Sequence, residues 1–367
     1  MSIILFIIVL AVLILVHEVG HFLAARSVGA RVDEFGIGFP PRLWSFKPKG
    51  SETTYSINAI PFGGYVKIFG EDAHDASLAP EDTSRSLAHK SKLKQIWVLA
   101  AGVVFNILFA WILLWVGFMT GVPTSVTPET KGLTESAHVT LISVLRGAPA
   151  EEAGLMSGDE IISLATDEGP LPFTTVENVQ EIIASHEGKL LTMTFEREGK
   201  AEIISITPKE GIVEGKGAIG VTLDLVGVVR LSPFAALIES ARTTVLFLKN
   251  ITIGIGNLIG GAFTGSADIK EISGPVGIVG MVGDAAHRGL IALLTFTALI
   301  SLNLAIINLV PFPALDGGRI LFVIIEAIKR SPINQKVSGT LNLIGFGLLI
   351  LLMVAITVND VVQLFAS

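Results

Sequence analysis

The sequence predicts a multi-spanning α-helical membrane protein of about four transmembrane helices, with a membrane-associated β-hairpin and an inserted α+β domain. Three observations predict it. Half of the 367 residues are hydrophobic and only 16% are charged, with a mean hydropathy of +0.67, a balance that favours a membrane protein over a soluble globule. Four apolar runs have the length and polarity of membrane-crossing helices. Between the second and third runs lie stretches with the period-two alternation of strands, such as LTMTFER at 191–197. The net charge of −7 carries no sign of the basic patch that nucleic-acid binding requires. There is no cysteine, so disulfides and thiol catalysis are excluded and any metal must rest on His, Asp or Glu.

The N-terminal membrane part covers 1–120. Its first apolar run, 3–25, lacks a basic leader and a small-residue cleavage site, so it reads as a helix rather than a removable signal. The loop at 26–94 holds ten Lys or Arg around an apolar middle. There, 55–70 reads as a hairpin turning at Pro61-Phe62-Gly63-Gly64. The second run is 96–120. A soluble β-rich domain follows at 121–226, then a connecting segment at 227–289. Within that segment 231–263 is apolar but interrupted by Glu239, Arg242, Lys249 and several glycines, and it reads as an interfacial amphipathic stretch rather than a fifth span. The C-terminal membrane part, 290–367, holds the runs 290–310 and 339–358. Four crossings place both termini on one side and both basic connections, 26–94 and 311–338, on the other. By the positive-inside rule that other side is the cytoplasm, and the soluble domain lies outside.

The first charged residues of the chain fall inside the first run, in HEVGH at 17–21. Ionisable groups in hydrocarbon cost about 2.5–3.5 kcal/mol each on insertion scales, so a function is expected of them. Residues i and i+4 share a helix face, so His17 and His21 can both reach one Zn²⁺. Glu18 sits beside them, placed to take a proton from the water that zinc activates. A catalytic zinc needs a third protein ligand. The best candidate is Asp316 in NLVPFPALDGGR, where Pro311 and Pro313 break the helix and Gly317 and Gly318 permit tight backbone paths. The alternatives are an N-cap role for Asp316 and Glu326 as the ligand.

HEVGH in the first run and N-x-x-P-x-P-x-L-D-G in the third resemble the site-2 protease family of intramembrane zinc metalloproteases, closest to bacterial members with a PDZ insert. The resemblance extends to GGYVK at 63–67, Gly102-x-x-x-Asn106 in the second run and GPVGIV at 274–279. It implies zinc held by His17, His21 and Asp316, with Glu18 as catalytic base. It also implies that Asn308 contacts substrate or transition state, with a helix-packing hydrogen bond as the other reading. Gly63, Gly64 and Tyr65 of the hairpin are expected to bind an unwound client strand by edge pairing. GAPAEEAGLMSGDEIISL at 147–164 is similar to the bacterial PDZ pattern. GAIGV at 217–221 is then either its carboxylate-binding loop or an ordinary strand start. The best-studied enterobacterial member has two PDZ domains, whereas this insert has room for one.

The function implied is cleavage of transmembrane segments of client membrane proteins, such as anti-sigma factors or remnant signal peptides, in regulated intramembrane proteolysis. The partners expected are such clients and the lipid bilayer, with no nucleic acid. The location expected is the bacterial inner membrane, with the active site toward the cytoplasm. The alternatives are another membrane-embedded zincin such as a prenyl-protein endopeptidase, a membrane-anchored PDZ adaptor, or a metal transporter.

Overall fold

A computed structural model describes residues 1–71, 83–126, 132, 134–145, 147–197, 199–213, 216–265 and 274–366. The chain forms two compact units. One comprises 1–115, 238–287 and 293–366; the other comprises 116–237 and 288–292.

The chain begins with α1 (Ser2–Ser27), strands β1 (Val32–Phe46) and β2 (Thr54–Ile68), and α2 (Lys92–Thr120). The 26 residues of α1 make a rod of about 39 Å, ample for a hydrocarbon layer of about 30 Å. Gly20 is what lets α1 lie against α2. A Cβ there would stand 2.6 Å from the carbonyl oxygen of Ala101, so the two backbones meet with no side chain between them.

The expected hairpin at 55–70 takes an opened shape whose arms do not pair with each other: within β2, residues 54–57 and 64–67 lie on the two sides of β1 residues 34–37 and both pair with them. Arg42 to Phe46 pair with Asn58 to Tyr55, and Val32 to Ile37 pair with Ile68 to Gly64. The chain also reverses at Pro48–Ser51, where the Ser51 N–H donates to the Pro48 carbonyl and Gly50 takes φ +79°. Both signals are in the sequence, as Pro and Gly two residues apart. The glycines at 63–64 lie at the end of the reversal between the two arms of β2, Gly63 at φ +112°, and Gly64 also allows a close approach. A Cβ on Gly64 would stand 3.2 Å from Glu18 Cγ and from the Gly36 carbonyl oxygen.

The second unit continues with β3 (Val122–Ser125), β4 (Thr134–Val144), α3 (Pro149–Glu152), β5 (Glu160–Thr166), β6 (Gly169–Leu171) and α4 (Val176–Ser185). Then come β7 (Leu191–Arg197), β8 (Lys200–Ile206), β9 (Lys209–Val213), β10 (Lys216–Ala218) and β11 (Val221–Val229). The main sheet runs β3-β11-β4-β5-β7-β8, with β6 paired to β5. Alternate residues of β7 (Leu191, Met193, Phe195) point into a core shared with Val179 and Ile183 of α4. Thr175 caps α4, accepting from the Asn178 N–H at 3.3 Å. Asp159, 1% exposed, is held by the Arg197 fork at 2.7 and 2.6 Å. Between α4, the end of β4 and residues 217–223 lies a groove of about 980 Å³. GAIGV therefore lines a cavity.

The first unit resumes with α5 (Pro233–Thr264), α6 (Pro275–His287), α7 (Leu290–Leu309), α8 (Asp316–Lys329) and α9 (Gln335–Ala366). Among the described residues five helices, α1, α2, α5, α7 and α9, are long and apolar enough to cross a membrane. That exceeds the expected four. The added one is α5, which is continuous through Gly254, Gly256, Gly260 and Gly261, so these are not a break in the helix. Ala110 and Leu114 of α2 pack with Ala298 and Leu302 of α7 and with Phe247, Leu248 and Ile251 of α5. The GPVGIV motif has a tertiary purpose. Asp360 of α9 accepts the N–H groups of Gly274 at 3.0 Å and Gly277 at 2.9 Å, capping α6 from another helix.

Candidate metal centre

Helical spacing places His17 and His21 on the face of α1 that is turned inward, 7% and 8% exposed. Their Nε2 atoms are 3.1 Å apart. Asp316 Oδ2 stands 2.9 Å from His17 Nε2 and 3.4 Å from His21 Nε2. Ligands of a tetrahedral zinc at 2.0–2.1 Å are separated by about 3.3 Å, so the triangle already has the size the ion requires. Two imidazoles and one carboxylate also suit zinc chemically. Among the described residues this is the one cluster of three metal-type ligands.

Asp316 arrives there by steric means. After α7 the chain turns through Val310 to Leu315, with Ala314 at φ +76° and its N–H donated to Asn342 Oδ1 at 3.2 Å. Asp316 is the first residue of α8 and Leu315 is the cap, with no side-chain cap bond, so the N-cap alternative does not hold. Gly317 and Gly318 serve close packing rather than a turn. A Cβ on Gly317 would run into the carbonyl oxygens of Leu309 and Val310, and one on Gly318 into that of Phe312. Glu326 is spent elsewhere, accepting from Lys92 Nζ at 2.6 Å and from the Ile333 N–H at 2.9 Å.

Helix α2 forms the other wall. The Val98 carbonyl accepts from His21 Nδ1–H at 2.8 Å, which leaves the Nε2 lone pair facing the other two ligands. Sequence reasoning missed Val98, because a backbone acceptor has no residue signature. A Cβ on Gly102 would stand 2.5 Å from His17 Cε1 and from His21 Nε2. Gly102→Ala should therefore displace both rings and lower zinc affinity at least tenfold, read by metal analysis of the purified protein. Unchanged zinc content would mean the rings have room to yield.

Glu18 lies on the same turn, within electrostatic reach of His21, His17 and Asp316. Gly64 of β2 comes up against its side chain. Gly63 lies under the Phe39 ring. Tyr65 points elsewhere, its hydroxyl donating to Glu34 Oε1 at 2.9 Å. Burial raises the Glu34 pKa, but bonds from Ser56, Tyr65 and Arg42 outweigh it and hold the carboxyl below the ordinary range. Only the backbone of Tyr65 is thus offered to a ligand. Asn308, in the last turn of α7, is half-buried, and its side chain makes no hydrogen bond to another described residue.

Comparison with known proteins agrees with this chemistry. The model of peptidase family M50 matches residues 5–352. A Nostoc sp. protein provisionally named a zinc metalloprotease is 34% identical over 373 residues, covering 99% of this chain and 97% of its own length. One of Clostridium acetobutylicum, named likewise, is 31% identical over 366 residues, 98% of this chain and 97% of its own. The zinc metalloprotease RasP of Geobacillus kaustophilus is 29% identical over 443 residues, 99% of this chain and 98% of its own.

Proposed function

The chain belongs to peptidase family M50, the site-2 protease family of zinc metalloproteases, and from that premise we propose that it hydrolyses transmembrane segments of client proteins in regulated intramembrane proteolysis. The observation that carries this reading is the convergence of His17, His21 and Asp316, beside Glu18, on a helix of membrane-crossing length. Zinc, when bound, polarises the scissile carbonyl and makes water nucleophilic at neutral pH. His17, His21 and Asp316 would hold it. Glu18 takes the proton from the attacking water and passes it to the leaving amine. Gly63 and Gly64, lacking side chains, let an unwound client strand pair along the edge of β2 next to Glu18. Asn308, unspent in packing, is free to contact that strand. A prenyl-protein endopeptidase with a Glu ligand is disfavoured by the Lys92 pairing of Glu326.

We keep four crossings, by α1, α2, α7 and α9, as the reading. Lys92–Glu326 and Arg319–Glu71 pairs, each at 2.6 Å, hold α8 against the loop after α1 and the start of α2. These two connections therefore share a side, and their Lys and Arg content makes it the cytoplasm. Ser2, at the other end of α1, packs on Gly283 of α6. We read α5 as lying along the interface, as its Glu239, Arg242 and Lys249 suggest. A cysteine at Glu196 should react with an impermeant thiol reagent in intact cells while one at Lys49 should not. Reversed labelling would sink this topology.

The insert reads as PDZ-like and outside. A groove walled by GAIGV and α4 supports capture of an exposed client terminus, beside exclusion of clients by bulk. The function is tested by reconstituting purified protein with a transmembrane client and mapping the cut by mass spectrometry. A cut within the apolar segment, lost on chelation, is expected. Cleavage only in soluble loops would refute it. In the same assay Ala184→Trp, which fills the groove, should slow cleavage of a client with an exposed terminus severalfold. Equal rates would leave bulk exclusion as the insert's role.

A further inference from the structure

We propose that Asn106 is a positioning residue for His17: its side-chain oxygen accepts the His17 Nδ1–H and so keeps the Nε2 lone pair directed at the metal. The inference deepens the zinc reading above and rests on it. Asn106 is fully buried, 0% exposed. It lies one turn beyond Gly102, and its backbone carbonyl accepts from Ser301 Oγ of α7 at 2.9 Å. Its amide faces His17 Nδ1 at 3.3 Å. Nδ2 is the near atom, and Oδ1 is buried without a partner among the described residues.

The two ends of an amide are interchanged by a half-turn, and their assignment follows from the hydrogen-bond network. With the nitrogen toward Nδ1, that ring nitrogen must be the acceptor. The ring proton then sits on Nε2, is donated to Asp316 Oδ2 at 2.9 Å, and Nε2 cannot bind a cation. With the oxygen toward Nδ1, the proton moves to Nδ1 and Nε2 is a ligand. His21 is already fixed in that form by the Val98 carbonyl, which can only accept. Asn106 completes the pair from the same helix, two turns further along. Histidine ligands generally need such an acceptor behind them, and its loss typically costs about 10–100-fold in metal affinity.

The test is competitive titration of zinc against a chromophoric chelator in detergent. Asn106→Leu, similar in volume but without an acceptor, should bind zinc about 10–100-fold more weakly. Asn106→Asp, which keeps the acceptor, should stay within about threefold of wild type on the same reasoning. Wild-type affinity in Asn106→Leu would overturn the proposal. So would equal losses in both variants, which would mark a packing role. Should Asn106→Leu fail to fold, cobalt-substituted wild type decides. Its His17 imidazole N–H resonance should exchange with solvent as slowly as that of His21, whose acceptor is the Val98 carbonyl, and rapid exchange of the His17 proton alone would overturn the proposal. Wild type that binds no zinc would sink the zinc reading itself, whereas normal binding by wild type and Asn106→Leu alike sinks only the role of Asn106.

Discussion

Glu18→Gln should leave zinc bound and lower cleavage by roughly 10²–10⁴-fold, the usual contribution of a positioned general base. The substitution keeps the size of the side chain beside Gly64, so the strand edge and the three ligands are undisturbed. It removes only the ability to accept a proton. Two measurements on one preparation check this, zinc content and the rate on a transmembrane client. Near wild-type cleavage would show that another group moves the proton. Zinc loss without any other change would show that Glu18 supports the ligands.

Asp316→Ala should lose both zinc and activity, because the two imidazoles that remain cannot close a tetrahedral site. Its natural control is Glu326→Gln. Glu326 is an acidic residue on the same helix, but its carboxylate is committed to Lys92 and the Ile333 N–H. That change should keep full zinc content and cost only the docking of α8 on α2, read as a modest fall in thermal stability. If Glu326→Gln lost zinc while Asp316→Ala kept it, the ligand assignment would be reversed.

What the sequence determined by itself is what short-range geometry carries. The i, i+4 spacing of His17 and His21 puts two imidazoles on one face wherever the helix goes, and Glu18 follows with them. The cost of charge in an apolar run made those residues conspicuous, and the prolines before Asp316 marked a break in helix. The length and polarity of the apolar runs identified a membrane protein. Only the tertiary structure decided which atoms meet across elements. Residues 54–68 look like a self-paired hairpin locally, yet residues 34–37 of β1 lie between its two arms and take the pairing of both. The glycines at 20, 102, 317 and 318 look like turn or flexibility signals, but each marks a place where a neighbouring backbone or ring leaves no room for a Cβ. Val98 contributes a carbonyl, which every residue has. Asp360 and Glu326 are equally acidic by sequence, and their roles follow from the groups that packing brings to them: the N–H groups of α6 for Asp360, Lys92 and the Ile333 N–H for Glu326. Local periodicity fixes which face of an element is special. The steric fit of distant backbones fixes what that face is opposed to, and no short window of sequence holds that information.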